Sequence, residues 1–308
     1  MPLVRAIFLV GLSLWLTGCS RGPQVKPATE TNLHGVWVRN DSLIWVVGGE
    51  GTILHSRDGG QTWARQASGT LVPLQLIYGS GPDLWTVGPG GIILHSNDDG
   101  HTWSQQASGT KFAIYTVHGT APHLYAVGAR GTILSSSDGG QHWQQRISRT
   151  TTTLFSVYSR GSHAWAVGDS GTILHSADWG QTWQRQTTGV DDSLRVIYGD
   201  NTNLWVGGMG GILLHSSDGG DHWQPQTSGT NKTLVSFYGS GNDVWAVGVA
   251  GTALHTADGE HWELLPTETR RNLEEVRGSG ARLWVVGYGG TLLQSTDGGQ
   301  TWQRRDVQ

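Results

Sequence analysis

Short apolar runs recur along most of the chain, each about five residues long and bounded by Gly, Asp, Asn or Ser. Residues 194–226 show the unit: LRVIYG, LWVGG, GILLHSSD and HWQPQ, separated by turn residues. No stretch places its apolar positions three and four residues apart, so amphipathic helices are not expected. The runs are rich in Val, Ile, Leu, Trp and Tyr, which suits half-buried and fully buried strands. The unit then repeats. Trp63, Trp103, Trp143, Trp183, Trp223, Trp262 and Trp302 stand 40 residues apart, with one interval of 39. A second column, Trp45, Trp85, Trp165, Trp205, Trp245 and Trp284, keeps the same period, and Tyr125 fills its third place.

Four antiparallel strands per repeat make one blade, and stacking blades radially buries both faces of each sheet while leaving only short edges. The expected fold is therefore all-β: a seven-bladed β-propeller of four-stranded antiparallel blades, about 40 residues per blade, over residues 33–308. The blades fall at about 33–70, 71–110, 111–150, 151–190, 191–230, 231–269 and 270–308. With the first strand innermost every blade is whole, and no terminal strand is exchanged to close the ring.

Composition narrows the class. Of 308 residues 47 are Gly, 16 Trp and 9 Pro, with no Gly-X-Y period, which excludes collagen; 36% apolar content excludes disorder. The net charge of −4 is spread along the chain, so a basic nucleic-acid footprint is not expected. Near the start, Arg5 precedes an apolar run from Ala6 to Leu16 that is too short to span a bilayer and reads as an export signal. It leads into Leu16-Thr17-Gly18-Cys19, which resembles the bacterial lipoprotein box. Residues 1–18 are then a lipoprotein signal peptide, Cys19 is the lipidation site, and residues 19–32, polar with two prolines, are a flexible tether. The mature chain has no second thiol, so disulfides cannot stabilise it. With Ser20 rather than Asp after the cysteine, the expected location is the cell envelope, anchored to the outer membrane on its periplasmic or surface side.

Between the third and fourth strands each copy carries a near-identical turn, such as Ser56-Arg57-Asp58-Gly59-Gly60-Gln61-Thr62-Trp63. Ser and Asp side chains accept hydrogen bonds from turn amides, glycines permit positive φ, and the indole packs over the hairpin. The aspartates are Asp58, Asp98, Asp138, Asp178, Asp218, Asp258 and Asp297. This S-x-D-x-G-x-T-W pattern resembles the Asp-box, or bacterial neuraminidase repeat, of sialidases and several non-enzymatic propellers. In those proteins the boxes are turn staples away from the substrate face, so the resemblance implies a structural role for these aspartates and for the tryptophans that follow them. The longer string LWxVGxxGTILxSxDGGxTW, as in Leu84 to Trp103 and Ala164 to Trp183, is similar to the photosystem II assembly-factor propeller family. That resemblance covers residues 33–308 and implies a seven-bladed, non-catalytic scaffold that binds a partner protein. It also implies the thylakoid lumen side if the source is a cyanobacterium.

Blade geometry constrains the residues that invite chemistry. His55, His95, His175, His215 and His255 share one column, but strands about 4.8 Å apart separate equivalent residues on adjacent blades by roughly 10 Å or more, whereas zinc ligands converge to about 2 Å. No metal and no cofactor are expected. Asp98-Asp99 and Asp191-Asp192 are adjacent carboxylates without the alternating ligands of a calcium loop. The alternative function is a sialidase-like carbohydrate-active or carbohydrate-binding propeller, which needs an arginine cluster, a Tyr nucleophile with a Glu, an Asp acid/base, and loops that wall a pocket. Retaining glycosidases of the common kind need two carboxylates about 5 Å apart.

Loops on a rigid scaffold commonly carry recognition. The face opposite the Ser-x-Asp turns offers Glu50, Arg130, Asp169 and Tyr288 in second-to-third-strand turns. The links between blades add Lys111, Phe112, Asp191, Asp192, Lys232, Glu268, Arg270 and Arg271. Glu50, Lys111, Arg130, Asp169, Lys232, Arg270, Arg271 and Tyr288 are the expected partner-binding residues. A further column, Val38, Tyr78, His118, Tyr158, Tyr198, Tyr238 and Arg277, is expected at the channel rim on the Ser-x-Asp face, either as a recognition surface or as filling for a narrowing core. The expected partner is a protein; glycan ranks below it, nucleic acid is not expected, and the membrane is reached through the lipid anchor.

Overall fold

The computed structural model describes residues 31–200 and 202–306; Cys19 and the signal segment lie outside the described residues. Seven four-stranded antiparallel sheets follow one another, each built from four strands consecutive in sequence. The fifth is typical: Leu194–Asp200, Asn203–Gly208, Leu213–Ser216 and Gln224–Pro225. First strands of successive blades pack on one another, and that of the seventh, Leu273–Ser279, packs on that of the first, Leu33–Val38. The sheets thus form a closed ring with first strands around a central channel. Among the described residues no strand is exchanged: blades seven and one meet side by side, with the Val36 N–H donating to Glu275 Oε2 at 2.7 Å and the Gly289 N–H to Asn32 Oδ1 at 2.9 Å.

Burial follows strand order. Second strands are buried along their length apart from the opening residue in blades two to seven, because neighbouring blades cover both faces. Fourth strands, such as Gln224–Pro225, are exposed on the rim. Between blades sits the column of Trp45, Trp85, Tyr125, Trp165, Trp205, Trp245 and Trp284, all buried. Each ring lies beneath the Ser-x-Asp turn of a neighbouring blade. Gly220 in such a turn has φ +92°, and a Cβ there would lie 2.7 Å from Trp165 Nε1, so glycine is required for conformation and for room. The histidine column stacks on these indoles, with ring centroids 4.4 Å apart for Trp45–His55 and 4.9 Å for Trp205–His215.

In the Ser-x-Asp turns the hydroxyl and carboxylate divide the work. Ser216 Oγ accepts the Gly220 N–H at 2.8 Å and donates to Asp218 Oδ1 at 2.7 Å, and that oxygen also accepts the His222 N–H at 3.0 Å. The same arrangement recurs around Asp58, Asp98, Asp138, Asp178 and Asp297. Hydrogen bonds from the threonine hydroxyl and amide four residues on hold the carboxyls of Asp58, Asp98, Asp178 and Asp297 down at about 2.

Candidate functional site

First strands turn alternate residues toward the channel up to a β-bulge, and the bulged residue also faces inward, so two positions three apart form rings near its ends. Pairing across the blade fixes the first ring: Trp37, Tyr78, His118, Tyr158, Tyr198, Tyr238 and Arg277 stand opposite Trp45, Trp85, Tyr125, Trp165, Trp205, Trp245 and Trp284. The first blade contributes Trp37, not the Val38 expected from a fixed spacing. Its first turn is one residue longer than in later blades, held by Asn40 Oδ1 accepting the Ser42 and Leu43 N–H groups, both at 2.9 Å.

The side chains of this ring are largely spent on each other. Centroids are 5.3 Å apart for Trp37–Tyr78, 5.0 Å for Tyr78–His118 and 5.1 Å for His118–Tyr158. Tyr78, Tyr158, Tyr198 and Tyr238 also pack on their own blades' tryptophans. Burial pushes His118 down to about 4, leaving it neutral at pH 7. Arg277 donates to the Phe237 and Val276 carbonyls at 3.1 and 2.8 Å and pairs with buried Glu275 at 2.6 Å.

The second ring, toward the face of second-to-third-strand turns, is different. It comprises His34, Gln75, Tyr115, Phe155, Arg195, Val235 and Glu274, which line the same 370 Å³ channel. A guanidinium and a carboxyl stand here on apolar strands. The Arg195 guanidinium lies 3.6 Å over the centre of the Phe155 ring, itself 5.6 Å from that of Tyr115. Burial lifts Glu274 to about 7, with Arg195 pulling the other way. Tyr288 sits within the field of both, its hydroxyl pushed up first by Glu274, and its ring meets His34 edge-on at 6.3 Å.

Around this mouth the expected partner-binding residues divide. Arg271 donates to the Gly289 carbonyl beside Tyr288, which is 42% exposed. Asp169 accepts the Ser193 hydroxyl at 2.8 Å and acts through space on Arg195. Arg130 lies 5.2 Å over Phe112, next to exposed Lys111, on the third blade. Glu50, Lys232 and Arg270 are exposed on their own turns and links. Arg271 and Tyr288 thus meet at one turn, Asp169 stands by Arg195, Arg130 stacks on Phe112, and the rest are dispersed. Sequence reading missed Arg195 and Glu274, although the signal was present: charges set in apolar runs, Leu194-Arg195-Val196 and Leu273-Glu274-Glu275-Val276. Asp99 is engaged in an ion pair with Arg39 at 2.5 Å.

Comparison with solved structures places the fold. The YCF48 of Cyanidioschyzon merolae superposes with a TM-score of 0.70 at 22% identity, covering 86% of this chain and 96% of that one. A structure of YCF48 bound to a D1 peptide gives 0.70 at 21%, covering 86% and 92%. The GH74 xyloglucanase of Xanthomonas campestris gives 0.70 at 12%, covering 91% of this chain but 55% of its own, so the same architecture also serves an enzyme. No curated protein matches the sequence. A family model matches at residues 22–79, 113–191 and 148–228, together more than half of the chain. By that match, the chain belongs to the family described as photosynthesis system II assembly factor YCF48.

Proposed function

We propose that this propeller is a non-catalytic, membrane-anchored scaffold that holds a segment of a partner protein on the face of second-to-third-strand turns, centred on the channel mouth. The observation that carries the reading is the second ring. Arg195 and Glu274 place a guanidinium and a carboxyl in a half-enclosed aromatic mouth, where a peptide's carbonyls, amides and side chains find both donors and acceptors. The related YCF48 with a bound D1 peptide supports a protein ligand. The Ser-x-Asp turns are read as Asp-boxes in a purely structural role, since their carboxylates are taken up by turn amides and hydroxyls. Exposed Lys111, Arg130, Lys232, Arg270 and Arg271 would steer an acidic partner at low salt.

Charge reversal at Arg130, Arg270 and Arg271 together is expected to weaken partner capture from native membranes without moving the unfolding temperature. Changes at Tyr158 and Tyr198, on the other ring, should weaken it less. Pull-downs showing the opposite order would move the site to the Ser-x-Asp face.

Anchoring rests on Cys19, which we propose is acylated and held in the outer membrane. Metabolic labelling with a fatty-acid analogue should mark the wild type and not Cys19→Ala; an unlabelled wild type would remove the anchor.

A further inference from the structure

The chain enters the ring on the face of second-to-third-strand turns. The Asn32 carbonyl accepts the Gly49 N–H and Asn32 Oδ1 accepts the Gly289 N–H, both at 2.9 Å, and these glycines belong to the turns of blades one and seven. Thr31 stands 12 residues after Cys19, a length that reaches at most about 40 Å. An acylated Cys19, the anchor reading on which this inference rests, therefore tethers the propeller by this face.

The sector of that face beside the entry, on blades one to three, is apolar and basic. Leu71 and Ile147, on or leading into the links between blades, are 83 and 79% exposed, and Phe112 is 41% exposed beneath the Arg130 guanidinium. Single exposed apolar residues are ordinary, but three on one sector, flanked by cations, mark an interaction surface. Two of the cations are held against backbone preference. Arg130 and Arg149 adopt φ of +56 and +55°, where equivalent turns use Gly90 and Gly210 and equivalent links use Gly69, Gly109, Gly189 and Gly229. A long side chain in the left-handed region is strained, and such strain persists where the surroundings or a function impose it. The two arginines are neighbours: a Cβ on Gly131, next to Arg130, would lie 2.1 Å from the carbonyl oxygen of Thr150, next to Arg149. Lys111 is exposed beside Phe112, and Glu50, close to Arg65, is the one acid on this face of blades one to three among the described residues. The next sector, on blades four and five, reverses the sign with Asp169, Asp191 and Asp192.

We propose that blades one to three dock on an anionic phospholipid surface. Leu71, Phe112 and Ile147 sink their apolar ends among the headgroups, while Lys111, Arg130 and Arg149 meet the phosphates. Side chains that protrude as Leu71 and Ile147 do suit a soft interface, whereas a protein would have to supply a pocket for each. The tether holds the sector near the lipid, so weak contacts suffice to dock it. Repulsion of Asp169, Asp191 and Asp192 from the same surface tilts the ring. The mouth around Arg195 and Glu274, on blades five and seven, then stays open to the partner segment, and bilayer and partner use adjoining parts of one face.

The test is fluorescence quenching by nitroxide-bearing lipid, which acts only on probes that enter the bilayer. Cys19 is the one native cysteine and acylation blocks it, so Leu71→Cys, Phe112→Cys, Asp191→Cys and Gln181→Cys each carry a single fluorophore on the full-length protein. The vesicles are phosphatidylcholine alone, or phosphatidylcholine with about one quarter phosphatidylglycerol. With phosphatidylglycerol, quenching at positions 71 and 112 is expected to exceed that at 191 and 181 about twofold or more, and the contrast should fade in phosphatidylcholine alone. Adding Ile147→Ser and Arg149→Glu to the Phe112 probe should abolish its excess. Neither of those residues is assigned to partner capture, so capture from a detergent extract stays unchanged, and a failure of docking is told apart from a failure of the partner reading. If fatty-acid labelling shows the wild type to be unacylated, the full chain with Cys19→Ser is added to preformed vesicles, and the same contrast between sites is required. Equal quenching at all four sites, quenching indifferent to phosphatidylglycerol or to the double change, or a contrast that arises only when native membrane proteins are reconstituted alongside would overturn the proposal, the last assigning the sector to a protein.

Discussion

Trp205→Ala lowers the free energy of unfolding by about 3 to 5 kcal/mol, the range for removing a large buried aromatic side chain. Trp205 is fully buried and serves two blades at once. Its ring stacks on His215 and packs on Tyr198 in its own blade, and its N–H reaches the turn carbonyl of Gly259 in the next. Alanine therefore opens a cavity at an interblade seam that the rigid second strand, Asn203–Gly208, cannot collapse to fill. Asp218→Ala, which removes only the acceptor for Ser216 and His222 at an exposed turn, should cost less. Denaturant unfolding of both variants checks the order. A loss for Trp205→Ala no larger than an ordinary surface change, about 0.5 kcal/mol, would mean that this column does not hold the blades together.

Glu275→Leu is the second severe change, expected to cost about 3 to 5 kcal/mol because it leaves buried partners without their acceptor. The reason lies in how the ring closes. At three other seams a small hydroxyl accepts the N–H of the next blade's first strand: Thr116 from Val157 at 3.2 Å, Ser156 from Ile197 at 3.3 Å and Ser236 from Val276 at 3.3 Å. At the closing seam Glu275 does this for Val36 and also holds Arg277. Glu275→Gln keeps an acceptor, so its effect separates by pH. Burial raises Glu275 to about 7, so the folded state binds its proton more tightly than the unfolded chain, whose value is 4.5. Its contribution is fully present below about 4.5 and is lost as pH rises to about 7. Relative to wild type, Glu275→Gln should therefore gain stability across that window. The comparison has to be relative, because burial depresses His34, His55, His118, His175 and His215, whose contributions run the other way. A pH-independent difference would show that Glu275 is ionised throughout.

The fold was legible because the same packing demand recurs seven times. Tryptophan columns, turn glycines and Ser-Asp pairs are set by contacts every blade shares, so a period in the sequence is a period in space. Register inside a strand is set by turn length instead. One extra residue held by Asn40 moved Trp37 into the place assigned to Val38. The candidate site was harder to read for the opposite reason. Arg195 and Glu274 are departures from the repeat, and what gathers them is curvature: residues from blades five and seven face one channel mouth across about 80 residues of sequence. Arg130, Arg271 and Tyr288 were placed on their face by strand order alone, but their separation into groups depends on which blades they ride.

In the proposed function a partner protein is held on the face of second-to-third-strand turns. Site-specific photo-crosslinking in the native membrane tests it most directly, with a photoreactive residue placed in turn at Arg130, Glu268 and Tyr288 on that face, and at Gln61, Gln181 and Gln300 on the Ser-x-Asp face. Adducts to a common protein from the first set, with little or none from the second, are the predicted result. Adducts from the second set alone, or from neither, would contradict it.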